Sequence, residues 1–179
     1  MPQDVGRQSE RVRTLAAAAA TACNEFRYDD ALAFGYEALA LASIDPSAVP
    51  ATWDERLAQL DSGDQEAVAR TATALAICTF RQADYMASLQ VAQLELHVRR
   101  HLDDDAGAAL AVMGLGWCYH AVGLYQQALA NQFEALDTLE KIRPGAIAGP
   151  LNGIARTYLD LGQVDTALEY AQRALANSS

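Results

Sequence analysis

The apolar positions of residues 109–176 form one pattern written twice. Leu115, Tyr119, Leu129 and Leu136 are separated by helical steps, and Ile154, Tyr158, Leu168 and Leu175 repeat them 39 residues later. Apolar residues at such steps line one stripe of a helix. Small residues fall between them in both copies: Gly116, Ala128 and Ala135, then Ala155, Ala167 and Ala174. A small residue where two antiparallel helices cross lets their axes approach to about 8–10 Å. Gly123 and Gly162 stand where the first helix of each copy must stop, and glycine reaches the left-handed conformation there without steric cost. Each copy is therefore predicted to be helix, turn, helix.

Two weaker copies precede these. Tyr85, Ser88, Leu89 and Leu96 repeat Tyr125, Ala128, Leu129 and Leu136, with Leu75 and Ala76 on the preceding helix; Tyr28, Ala31, Leu32, Ala38 and Leu39 repeat them again, preceded by Leu15, Ala18, Ala19 and Ala22. Here Phe26 and Ala83 replace the turn glycine, and Ala22 and Thr79 replace Tyr119 and Tyr158. Successive turn positions lie 57, 40 and 39 residues apart, so about 17 residues are inserted between the first two units. Asp45, Pro46 and Pro50 end the preceding helix. Trp53 to Leu60 reads as a short inserted helix packed on the stack, and Ser62 with Gln65 has capping-box spacing. Asp104 or Asp105 is the expected N-cap of the third unit. The expected units are 12–44, 64–101, 104–143 and 148–177, with 45–63 inserted, in a single domain spanning 1–179.

Self-similarity at about 20–50 residues marks a solenoid. The Leu-Gly-x-x-Tyr run at Leu115, Gly116 and Tyr119, the following Gly123, the aromatic Tyr125 and the alanines Ala128 and Ala135 resemble the tetratricopeptide repeat. The roughly 40-residue units are similar to those of bacterial helical-repeat regulators. The resemblance implies an all-α, right-handed superhelical solenoid of about four helix-turn-helix units with one inserted short helix.

Composition agrees with helix throughout: the chain is 51% hydrophobic and 20% charged, rich in alanine and poor in glycine and proline. The net charge of −10 disfavours nucleic acid or an anionic membrane as a general partner. No apolar stretch is long enough to span a bilayer. Cys23, Cys78 and Cys118 are too few and too widely spaced for a disulfide framework, and a reduced, cytoplasmic setting is expected. Cys78 and Cys118 share a repeat position with Thr21 and Thr157, which calls for a small side chain. Leu15 to Ala22 followed by Cys23 loosely imitates a lipoprotein signal, but Asp4 and Glu10 occupy what should be a cationic region.

No catalytic constellation emerges, so the expectation is a protein that is not an enzyme, with no cofactor and no metal. Gly114 and Gly116 lie inside a helical pattern with no preceding strand and read as packing glycines, not a dinucleotide loop. His97 and His101 have metal-compatible spacing, yet beside Arg99 and Arg100 at a helix end they suit the macrodipole, with Asp103 to Asp105 as counter-charges.

The resemblance does imply a surface. In tetratricopeptide arrays the first helix of every unit lines a concave groove. The corresponding positions here are Arg70, Thr73, Ile77, Phe80 and Arg81; Leu110, Met113, Trp117 and His120; and Asn152, Arg156 and Leu159. Trp and Arg are enriched at binding hot spots, and Arg70, Arg81 and Arg156 suit an acidic peptide. The competing uses are packing of Trp117 on a neighbouring repeat and structural ion pairs for the arginines. The expected function is a protein-protein interaction module binding a peptide or helix in its groove. The alternative is the sensory or regulatory region of a larger bacterial signalling protein with a transcriptional or cyclic-dinucleotide output. An uncapped apolar face on the last helix further suggests cover by a second copy of the chain, as a homodimer through that helix, or by further repeats in a longer parent.

Overall fold

The computed structural model describes residues 2–177, with side chains from Gly6 onward. Among the described residues there is no strand. The helices are α1 (Pro2–Asn24), α2 (Tyr28–Leu41), α3 (Pro50–Leu57), α4 (Ser62–Arg81), α5 (Tyr85–His101), α6 (Asp105–Ala121), α7 (Tyr125–Ile142), α8 (Ala148–Asp160) and α9 (Val164–Ala176), with a 3-10 turn over Pro144–Ala146 before α8. They form two compact units, Met1–Asp103 and Asp104–Ser179.

Every helical hairpin turns on one left-handed residue: Phe26 (φ 60°), Ala83 (62°), Gly123 (78°) and Gly162 (76°). The next N–H closes back on the helix. Arg27 donates to the Ala22 carbonyl, Asp84 to Thr79, Leu124 to Tyr119 and Gln163 to Tyr158, each at 2.9 Å. This is the Schellman geometry, which satisfies carbonyls that a helix end otherwise leaves unpaired. The four turns thus fall on the positions the repeat pattern predicts, including the two that lack glycine.

In the first unit, α1 pairs with α2 and α4 with α5, while α4 lies on both α1 and α2. The buried face of α1 is Val12, Ala16, Ala19, Ala22 and Cys23, one step round from the expected stripe, because α4 as well as α2 covers it. The inserted helix α3 packs as expected, although it runs from Pro50 to Leu57 and not from Trp53 to Leu60. Pro50 occupies the first turn, where its missing N–H costs nothing. Trp53 and Leu57 are buried with Leu39, Val68, Leu75 and Val98, and the Trp53 indole N–H donates to the Asp45 carbonyl at 2.8 Å. Burying Leu57 alone contributes about 1.5–3 kcal/mol, enough to hold a two-turn helix that could not stand in water.

Two local expectations are corrected. The N-cap of α4 is Asp61, whose carboxylate accepts the Asp64 N–H, and not Ser62. Gln65 instead donates to the Leu57 and Leu60 carbonyls, tying α4 to the end of α3. Arg13 bridges Asp61 and Asp64, pinning that cap to α1. His97 does not rest on Asp103 to Asp105. It sits against the Trp53 ring and 2.7 Å from Asp54, so it docks α3 on α5.

In the second unit α6 pairs with α7 and α8 with α9, and α8 lies on α7 and α6. Asp104 is the N-cap of α6, its carboxylate accepting the Gly107 N–H. Cys23, Cys78 and Cys118 are buried and none of them is in a disulfide. At the shared position Cys78, Cys118 and Thr157 are buried, whereas Thr21 is exposed. Within the units, Cys78 packs with Ala19 and Ala22 of α1, and Thr157 reaches His120 of α6.

Because Ala83 is exposed in the left-handed region, Ala83→Gly is expected to stabilise the chain by about 0.5–1 kcal/mol, and Gly123→Ala to destabilise it by a similar amount. No atom lies within 4 Å of a Cβ placed on Gly123, so only the backbone term operates there. Urea midpoints moving in the same direction for both variants would contradict this account.

Candidate functional site

The positions expected to line a groove fall on α4 in the first unit and on α6 and α8 in the second. On α4, Arg70, Ile77 and Arg81 are exposed along one edge. Arg70 lies 3.9 Å from Glu66 one turn away, and Arg81 makes no ion pair among the described residues. Thr73 and Phe80 are occupied within the fold. The Thr73 hydroxyl bonds the buried Glu95 carboxylate, and the Phe80 ring packs on Tyr85 at 5.4 Å.

In the second unit the first-helix positions of α6 turn out to be the seat of α8. Met113 meets Gly149 so closely that a Cβ there would lie 2.5 Å from its sulfur. His120 Nδ1 is 3.0 Å from the Thr157 hydroxyl. That hydroxyl also reaches the Gly153 carbonyl one turn back at 2.8 Å. His120 Nε2 stands 3.3 Å from Asp160. Leu110 is half-buried in the cluster around Leu139, Leu151 and Ile154. Helical spacing could show that Met113 and His120 share a face, but not that the next helix would take that face.

Gln132 on α7 is the other feature that periodicity concealed. Its side chain is fully buried, its Nε2 donates to the Met113 carbonyl at 3.2 Å, and its Oε1 has no partner. A Cβ on Gly116 would meet it at 2.6 Å and one on Gly153 at 2.4 Å. Gly116 is thus a packing glycine, as expected, but Gly114 is not: no atom lies within 4 Å of a Cβ placed there.

What remains open is a depression of about 460 Å³ between α8 and α9, lined by Trp117, Asn152, Ala155, Arg156, Leu159, Val164, Ala167, Leu168 and Ala171. Trp117 is half-buried at its edge, with its ring edge-on to His120 at 6.2 Å. Asn152 and Arg156 are exposed one helical turn apart. Arg156 makes no ion pair among the described residues, although its charge reaches His120. The His120 pKa is lowered, first by burial; Asp160 pulls it up and Arg156 pushes it down.

Among the described residues no group of three or more His, Cys, Asp or Glu is placed to hold a metal. No helix is long and apolar enough to cross a membrane. The Cys78 thiol is pushed up to about 12, by burial and then by the Cys23 thiol, and is protonated at neutral pH.

These helical hairpins define an all-α helical-repeat protein. No family model matches the chain, and a search of curated proteins returns no match. Among solved structures it is similar to the apo form of RapI, with a TM-score of 0.73 at 13% identity over 96% of this chain. It is also similar to BtubC (BKLC) from P. vanneervenii, with a TM-score of 0.56 at 18% identity over 98% of this chain and 82% of that one. The chain spans 43% of the length of RapI. At these identities the likeness concerns the fold alone.

Two predictions arise from this packing. Gly153→Ala is expected to cost about 1–3 kcal/mol by overpacking against Gln132, and in a Gln132→Ala background that cost should vanish; additive losses in the double-mutant cycle would contradict the contact. The lowered His120 pKa means that the folded chain keeps this imidazole neutral where the unfolded chain takes up a proton. Its contribution is therefore complete above the unfolded value of about 6.5 and is lost as pH falls below it. Urea midpoints measured from pH 7.5 to 5.5 should decline, and His120→Gln should flatten the decline.

Proposed function

We propose that the chain is a non-enzymatic protein-interaction module of the tetratricopeptide type, working in the cytoplasm without a cofactor. Its contact surface in the second unit centres on the depression between α8 and α9. The observation that carries this reading is the set of side chains gathered there. A half-buried Trp117, an Arg156 without an ion pair and the exposed Leu159, Val164 and Leu168 all stand on packed helices. Rigid helices hold such groups at little entropic cost on binding, and Trp and Arg are the side chains that most often dominate an interface. Arg156 favours a partner with acidic groups. On α4, Arg70, Ile77 and Arg81 offer a second patch of the same character.

A second reading, with which the likeness of fold to RapI agrees, is a sensory or regulatory region within a larger bacterial signalling protein. The two readings are compatible, since such a region also works by contact.

Affinity capture from extract of the source organism tests the first reading when run in parallel on wild type, Trp117→Ala, Arg156→Ala and Arg81→Ala. Proteins retained by wild type should be depleted at least several-fold on the Trp117 and Arg156 variants, with unchanged helical circular dichroism. Equal retention by all four chains would reject the reading.

A further inference from the structure

The contact between successive first helices can be followed residue by residue from one unit to the other. Counted back from the left-handed turn residue, the third position is Cys23 on α1 and His120 on α6, and the fifth is Cys78 on α4 and Thr157 on α8. Inside the second unit this pair meets: His120 Nδ1 lies 3.0 Å from the Thr157 hydroxyl. The corresponding pair inside the first unit is Cys23 and Cys78, and both are buried in one cluster where α1 packs on α4. Two cysteines thus stand where the repeat brings two side chains within hydrogen-bonding distance.

Their surroundings leave the two sulfur atoms to each other. The other buried members of the cluster are Ala19, Ala22, Ala31 and Ala74, so no bulky buried side chain of the cluster stands between the helices there. Helix axes that cross at small residues approach to about 8 Å, and each Cα stands about 2.3 Å off its axis. Facing Cα atoms then fall in the range of about 4.4–6.8 Å that a disulfide spans. The Cys78 thiol registers the same contact: burial raises its pKa first, and hydrogen bonding to the Cys23 thiol raises it further. Access is unequal. Cys23 is 7% exposed and Cys78 0%, so a small oxidant in water reaches Cys23 first.

We propose that Cys23 and Cys78 form a modification site, a dithiol that hydrogen peroxide converts reversibly into a disulfide joining α1 to α4. The Cys23 sulfur attacks one peroxide oxygen, the O–O bond breaks, and the thiol proton leaves with the departing oxygen as water, which makes Cys23 a sulfenic acid. The Cys78 sulfur then bonds to the Cys23 sulfur. The S–O bond breaks, and the hydroxyl leaves with the Cys78 proton as a second water. Two thiols and one peroxide become one disulfide and two waters, and a thiol reductant returns both thiols by exchange. The new bond closes a loop that contains α2 and α3, and so restricts the unfolded chain.

The test treats the native protein with hydrogen peroxide, stops the reaction with catalase, alkylates the remaining thiols in denaturant and maps them by mass spectrometry. Of three thiols only that of Cys118 should remain, and a peptide linking Cys23 to Cys78 should appear within a single chain. Dithiothreitol should restore all three thiols, and the oxidised chain should unfold at a higher urea concentration than the reduced one. In Cys78→Ala, which continues the alanine lining, Cys23 should stop at the sulfenic acid and take up dimedone at least ten-fold more than in wild type. Cys118→Ala should leave the bond unchanged. Three surviving thiols, a bond that includes Cys118 or joins two chains, or a bond between Cys23 and Cys78 that forms only in urea would overturn the proposal. So would equal dimedone labelling of wild type and Cys78→Ala.

Discussion

The constraint on which the rest depends is the left-handed residue at the end of each first helix, with the hydrogen bond that the next N–H returns to the carbonyl five residues earlier. One residue of φ near 60–78° and one 2.9 Å bond set where the second helix starts. Because an α-helix turns by a fixed angle per residue, fixing that start fixes the face on which each later side chain lies. Four such turns give four hairpins in the same register. Leu39, Leu96, Leu136 and Leu175 become one position, as do Gly35, Ala92, Gln132 and Ala171. The turn is strong enough to hold without glycine. Phe26 and Ala83 adopt it against the steric preference of L-residues, since the register is already secured by packing on both sides.

Register explains why small residues dominate this chain, and it leaves room for local exchange. The close approaches are met by complementary pairs and not by a uniform residue: Gly35 with Leu75 in the first unit, Gln132 between Gly116 and Gly153 in the second. Volume is traded across the contact while density is kept. The trade has a cost at Gln132, where a buried Oε1 lacks a partner. Trp117 and Arg156, at one repeat position, stand at the edge and in the wall of the depression between α8 and α9.

Much of the fold was legible in the sequence because register is written in spacing. The turns at Gly123 and Gly162 followed from glycine, and those at Phe26 and Ala83 from the aromatic, small and leucine positions that come after them, beginning with Tyr28 and Tyr85. The packing of the inserted helix followed from Trp53 and Leu57 being poor linker residues. Legibility ended where a contact joins residues with no periodic relation. Asp54 under His97, Asp61 as a cap held by Arg13, and Gln132 filling the space left by two glycines each depend on three-dimensional proximity. The positions expected to line a groove share a face of each first helix, but the sequence could not say that Met113 and His120 would be taken by α8 while Asn152, Arg156 and Leu159 stay open.

The central claim is that these leucines occupy one repeated position and differ only in whether a helix covers them. Solvent paramagnetic relaxation of leucine methyl groups, read with a soluble gadolinium chelate, measures that cover without altering the chain. The account predicts that the methyls of Leu39 and Leu136 are protected and those of Leu175 strongly relaxed. Equal relaxation of Leu136 and Leu175 in the free chain would contradict it.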